Sequence, residues 1–111
     1  MDSILTSVKK LLGLTEAYTH FDPDIIMYIN DAFFILNELG VGPDEPFTIE
    51  DASSKWDDFV TEKPMASIRI YVFLKTKESF DPPTNSAHLN ALKEKIKEYE
   101  WRLNVAVDPQ M

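Results

Sequence analysis

The chain has 111 residues, a length that predicts a single domain with one hydrophobic core. It contains no cysteine, which excludes disulfides and thiolate metal sites, and its formal net charge is −8 at pH 7. Residues 15–62 hold 12 acidic residues and one basic residue, whereas residues 63–104 hold eight basic and five acidic residues. This distribution argues against nucleic-acid binding through a basic face. Either the acidic region is a solvated surface, or it contacts the basic region of another copy.

Membrane insertion and secretion are not indicated by the sequence. No apolar run approaches the roughly 20 residues that span a bilayer. The first ten residues, MDSILTSVKK, lack the basic-then-apolar order of a signal peptide. A cytosolic protein is therefore the default expectation.

A short first helix is predicted over residues 4–12. Ser3 can cap its start, and Gly13 can end it in the left-handed conformation. Its apolar residues follow the spacing of one buried face, namely Ile4, Leu5, Val8, Leu11 and Leu12.

The clearest helix signals bound the stretch from residue 21 to residue 40. Asp22 is the candidate N-cap, Pro23 would occupy the first helical position, and Gly40 is a natural stop. Apolar residues nearly encircle this helix, which predicts a central position in the fold. Met27 and Phe34 fall in the middle of its polar side. Either the chain's own loop covers Phe34, or this side contacts another subunit.

A long irregular loop follows, rich in Pro, Gly, Asp and Ser. Residues 47–49 alternate in polarity and could pair briefly as a strand. Residues 56–60 are predicted to form one helical turn that pins the loop through Trp56 and Phe59. Because long loops in compact domains are usually functional or mobile, residues 42–54 are expected to become ordered on docking.

Two further long helices are predicted. Pro64 can open a buried helix from Met65 to Phe80, although alternating Ile68, Ile70 and Val72 also resembles a strand. A lone strand could not satisfy its backbone hydrogen bonds, which favours the helix. The last helix, over residues 86–104, has an apolar seam of Leu89, Leu92, Ile96, Tyr99 and Leu103. Trp101 lies off this seam, as a lid on a neighbouring segment or as an interface residue.

These elements predict an all-α small helical bundle with three long helices, one short N-terminal helix and a long irregular loop after the second helix. One domain would span residues 1–104, and residues 105–111 would form a flexible tail.

No residue pattern indicates catalysis, so an enzyme is not expected. His20 and His88 are far apart in sequence and fit ordinary surface residues better than metal ligands. The four acids of the loop, hereafter the loop acids, are Asp44, Glu45, Glu50 and Asp51. They lack the order of an EF-hand, which makes calcium binding a weak alternative. No cofactor and no metal are predicted.

Five segments together resemble the small head–tail connector, or adaptor, proteins of tailed bacteriophages and prophages. They span nearly the full chain in the order of that family: residues 7–14 (SVKKLLGL), 21–43 (FDPDIIMYINDAFFILNELGVGP), 56–59 (WDDF), 71–83 (YVFLKTKESFDPP) and 96–104 (IKEYEWRLN). The resemblance implies a structural, helical protein at the virion head–tail interface, assembled in the host cytoplasm. It implies a homo-oligomeric ring beneath the portal protein that extends the DNA channel and joins a downstream connector, stopper or tail protein.

A ring subunit needs two different contact faces. The candidate interface residues are Met27, Phe34, Trp56, Phe59, Trp101 and Arg102. The loop acids are candidates for the channel lining or for docking, because an acidic lining would repel passing DNA. An alternative function is an acidic prophage regulatory protein that mimics DNA or inhibits a host DNA-binding protein.

Overall fold

The computed structural model describes residues 2–59 and 65–107. Within these ranges the chain folds into helices α1 (Ile4–Leu11), α2 (Asp22–Glu38), α3 (Trp56–Phe59), α4 (Met65–Phe80) and α5 (Ser86–Val107). The described residues contain no strand, only an isolated bridge between Ser3 and Lys55. The all-α prediction is confirmed, whereas the short strand over residues 47–49 does not form.

Helix α1 begins and ends at the predicted signals. The Ser3 hydroxyl accepts a hydrogen bond from the Thr6 amide at 3.2 Å, which satisfies one free N–H of the first turn. Gly13 follows the last turn with a φ of 87°, a conformation that costs glycine little. Leu11 departs from the prediction: it is 61% exposed, because no described element covers that side of the helix end.

Helix α2 starts differently from the prediction. Phe21 occupies the N-cap position without a side-chain cap, and Asp22 is the first helical residue, so Pro23 is the second. Asp22 is not a cap because its carboxylate pairs with Lys9 of α1, Oδ1 to Nζ at 2.8 Å. Lys9 is almost fully buried and also donates to the Glu16 carbonyl at 3.1 Å. At the other end Gly40 has a φ of 85°, as a helix stop requires.

Helix α4 shares the centre of the fold with α2, with which it makes its most extensive contact. It packs against α1, α2 and α5, and its bounds match the predicted helix. Phe21 meets Phe80 at a ring-centroid distance of 5.2 Å, so α2 and α4 are antiparallel. Tyr71 meets Glu100, which makes α4 and α5 antiparallel as well. Consequently α2 and α5 run in the same direction, and their ends meet where Asn104 of α5 donates to the Leu39 carbonyl at 3.3 Å.

The core is formed by the apolar faces of these helices and by two loop residues, Val41 and Ile49. The loop between α2 and α3 is fastened to α2 by Asn30, which donates to the Ile49 carbonyl at 3.0 Å and accepts from the Ile49 amide at 2.7 Å. Asn37 donates to the Pro43 and Asp44 carbonyls. These contacts anchor the loop in the single chain. The expected ordering of residues 42–54 on docking stays a prediction.

Helix α5 carries the predicted seam, with Leu92, Ile96 and Leu103 buried. It continues to Val107, three residues beyond the predicted end at residue 104. The predicted tail therefore overlaps the helix at residues 105–107, and its remainder, like Pro64, lies outside the described residues. No helix in the described part of the chain is long and apolar enough to cross a membrane.

Candidate interaction surfaces

The candidate catalytic and metal-binding groups remain separate. No group of three or more His, Asp or Glu side chains in residues 2–59 and 65–107 could hold a metal ion. His20 is exposed and stacks edge-on against Phe21, with ring centroids 4.7 Å apart. His88 is exposed in the first turn of α5.

The outer side of α2 carries an unusual exposed row, which we call the acidic stripe. Its members recur at spacings of three and four residues and are all exposed: Asp24, Met27, Asp31, Phe34 and Glu38. At 100° per residue they lie opposite the buried face that holds Ile29 and Leu36. Met27 is 58% exposed and Phe34 is 51% exposed, so the loop does not cover them. The stripe thus alternates carboxylates with large apolar side chains.

Two of the six candidate interface residues belong to the core. Trp56 is 1% exposed, and its indole N–H donates to the Ser7 hydroxyl at 3.2 Å. Phe59 is 5% exposed and packs against Phe33, with ring centroids 4.7 Å apart. The interface prediction for these two is corrected: the aromatic pair of α3 fastens the loop to α1 and α2 instead of facing another subunit.

The remaining candidates lie on the outer side of α5. Trp101 is 68% exposed, which excludes a role as a lid within the described part of the chain. Arg102 is exposed, pairs with Glu98 one turn earlier and lies over the Tyr99 ring at 5.4 Å. Such an exposed pair orients the guanidinium but adds little to stability. Trp101 and Arg102 are therefore free to contact a partner.

The loop acids are all exposed. Asp51 accepts hydrogen bonds from the Ser53 hydroxyl and amide, and these lower the pKa of its carboxyl below the ordinary value. Because the loop is anchored through Asn30 and Asn37, its negative charge is held on a defined surface. Asp57 and Asp58 of α3 are exposed beside it and extend the acidic surface.

A further apolar surface escaped the sequence-based prediction. An open groove of about 560 Å³ lies between the end of α1 and the outer side of α4. We call it the α4 groove, and it is lined by Leu11, Ala66, Arg69, Ile70, Phe73 and Leu74. The signal for it was the apolar row at residues 66, 70 and 73, which lies opposite the buried Ile68 and Val72. That row was interpreted as part of a helix buried all round.

One buried polar contact joins α4 to α5. The hydroxyl of Tyr71 donates to Glu100 Oε2 at 2.8 Å, and the Tyr71 side chain is fully buried. Burial, followed by this hydrogen bond to the carboxylate, raises the pKa of Tyr71 far above its ordinary value. This hydrogen bond between a buried phenol and a carboxylate ties α4 to α5.

The fold and its surfaces define a class of protein. A small helical protein that exposes large apolar side chains on separate helices has the character of an assembly subunit. The chain belongs to the phage connector family, because the family model described as "Phage connector protein" matches residues 4–110. This is a family of structural proteins that function at the head–tail junction of the virion. No curated protein and no solved structure matches the chain.

Proposed function

We propose that this protein is a head–tail connector subunit that forms a ring beneath the portal protein, extends the DNA channel and joins head to tail. The observation that carries the proposal is the family match over residues 4–110. The exposed apolar side chains on α2 and α5 support it, because the fold of one copy does not use them. Assembly would take place in the host cytoplasm, and the finished ring would lie at the head–tail interface.

A ring requires heterologous contacts, in which one face of a copy meets a different face of the next. Met27 and Phe34 on α2, and Trp101 and Arg102 on α5, form two separate exposed faces. Aromatic residues, Met and Arg are the residue types enriched in interface cores. One face would contact a neighbouring subunit, and the other would be available to the portal or to the downstream connector, stopper or tail protein.

The acidic surface suits a channel through which DNA must pass. The loop acids, together with Asp57 and Asp58, provide six exposed carboxylates between residues 44 and 58. Lys55 is the basic residue in this segment. A basic lining would bind phosphates and release counterions, which makes DNA binding strongly dependent on salt. An acidic lining avoids that binding. We propose that the loop acids line the lumen, where DNA passes without sequence-specific binding.

The test is native mass spectrometry of the purified protein, first alone and then mixed with the portal protein of the same phage. Ring-sized species, or a complex with the portal, are the expected result. A monomer that ignores the portal but binds a host DNA-binding protein would contradict the connector proposal. That outcome would instead support an acidic regulatory protein that mimics DNA.

A further inference from the structure

We propose that the acidic stripe of one copy packs into the α4 groove of the next copy, and that this is the contact that builds the ring. The inference rests on the proposed function, because it names the two faces that such a ring would join. In this contact a second copy of the chain covers the exposed apolar side chains of the acidic stripe on α2 and fills the α4 groove.

The apolar side chains of the two surfaces are spaced alike. Met27 and Phe34 are seven residues apart, and so are Ala66 and Phe73. Seven residues of α-helix span about 10.5 Å, so the two side chains of each pair are separated by the same distance along their helix. Two such helices packed side by side can interdigitate these side chains. The groove is open in the described part of the chain, and its wall residue Ile70 is 42% exposed. It therefore offers space for protruding apolar side chains.

The charges of the two surfaces are complementary. The stripe contributes three exposed carboxylates, Asp24, Asp31 and Glu38, and none of them pairs with a base among the described residues. The groove has cations at its rim: Arg69 is part of its wall, and Lys10 is exposed next to Leu11.

The other charges near the groove are weakly engaged. Arg69 pairs with Asp2 at 3.4 Å, and Lys77 pairs with Asp81 at 3.7 Å. These are loose, exposed pairs of the kind that contributes little. The Arg69 guanidinium also lies over the Trp56 ring at 5.2 Å, which holds it at the groove wall, and exchanging its loose pair with Asp2 for a carboxylate of an incoming helix costs little. The stripe of one subunit would then surround the apolar contact with carboxylates, and the groove of the next subunit would surround it with basic groups. This complementarity fixes the relative orientation of the two subunits and disfavours other partners.

The competing partner for the stripe is the outer side of α5. Lys93 and Lys97 are exposed there, but so is Glu94, which is next to Lys93 in sequence and about one turn from Lys97, and it would repel Asp31 or Asp24. Trp101 on this side is 68% exposed and protrudes. A protruding residue fits a protruding Phe34 less well than the α4 groove does, which is why the groove is preferred.

The absence of native cysteine makes a direct test possible. One preparation carries Asp31→Cys and a second carries Ala66→Cys, which leave Phe34 and Ile70 in place, and the two are mixed and treated with a short bismaleimide. Such a reagent can bridge packed helices, whose axes are about 8–10 Å apart. The proposal expects crosslinks between the two variants, identified by intact mass, and few within either one. The matched control replaces Ala66→Cys by Lys97→Cys on α5.

A second measurement uses apolar truncation. Phe34→Ser should weaken self-association about 30-fold, the loss typical of a central aromatic interface residue, and Ile70→Glu should do the same. Val105→Ser removes a similarly exposed apolar side chain from α5 and should leave self-association unchanged. All three sites are at least 42% exposed, so circular dichroism should show that the fold is kept.

The outcomes separate this contact from the ring itself. Ring-sized particles whose Asp31→Cys subunits crosslink to Lys97→Cys subunits would overturn the contact and leave the connector function standing. Absence of the expected crosslink both in the free protein and in its portal complex would also overturn it. Portal binding, measured separately, decides the proposed function.

Discussion

Gly42 offers the sharpest test of how the loop is fastened to the core. Its φ is 91°, and a Cβ at this position would collide with the Phe59 ring. Phe59 cannot easily yield, because it packs against both Phe33 and Phe47. Gly13 is the matched control: its φ of 87° is nearly the same, but a Cβ there would meet nothing within 4 Å.

The two alanine variants therefore separate backbone strain from steric collision. Placing alanine in the left-handed region costs about 1–2 kcal/mol, which is the whole cost expected for Gly13→Ala. Overpacking against a buried ring adds about 1–3 kcal/mol, so Gly42→Ala should cost about 2–5 kcal/mol. For a domain with a total stability of about 5–15 kcal/mol, that loss is large and easily measured.

The assay is urea unfolding followed by far-UV circular dichroism, since both exposed and buried tryptophans complicate fluorescence. Phe59→Leu provides the second test, because a smaller side chain should relieve the collision. In the double variant, the cost of Gly42→Ala should fall to that of Gly13→Ala, as a double-mutant cycle would show. Equal losses for the two glycine variants, or no coupling to Phe59→Leu, would refute the reasoning.

Three further predictions follow from buried and exposed charge. Because the pKa of Tyr71 is raised in the folded protein, the unfolded chain loses the phenolic proton at a lower pH. The free energy of unfolding should therefore fall above pH 10, by up to about 1.4 kcal/mol per pH unit relative to the Tyr71→Phe variant. Urea unfolding that gives the two proteins the same dependence of stability on pH would contradict this. Lys9→Met leaves Asp22 without its base and should lower the free energy of unfolding by about 2–3 kcal/mol, since one partner of the pair is buried. Adding Asp22→Asn should recover part of this loss in thermal or urea unfolding. A double variant no more stable than Lys9→Met would count against the ion pair. Replacing the four loop acids by their amides should leave the fold intact but allow salt-dependent DNA binding by the assembled ring in a filter-binding assay; unchanged, undetectable binding would argue against a lumen position.

Local signals determined the helices of this protein. Ser3 and Gly13 bound α1, and Gly40 ends α2, because capping and left-handed backbone geometry depend on a few neighbouring residues. The ambiguous segment Met65–Phe80 was correctly predicted as a helix, since no partner strand existed to satisfy an extended backbone. Helical periodicity also placed Met27 and Phe34 opposite the apolar face, but it left open whether the loop covers Phe34, which the structure shows to be exposed.

Tertiary structure alone decided which of the predicted surfaces are covered. Periodicity defines the faces of a helix but not the neighbour that covers each face, so the sequence left Trp56 and Phe59 both as aromatics that pin the loop and as interface candidates, and the structure shows that they are buried. For the same reason Leu11 was predicted as core although it borders the α4 groove. Asp22 pairs with Lys9 instead of capping α2, because the packing of α1 brings a buried ammonium group to it. These features depend on contacts between residues distant in sequence, and such contacts exist only once the helices have packed.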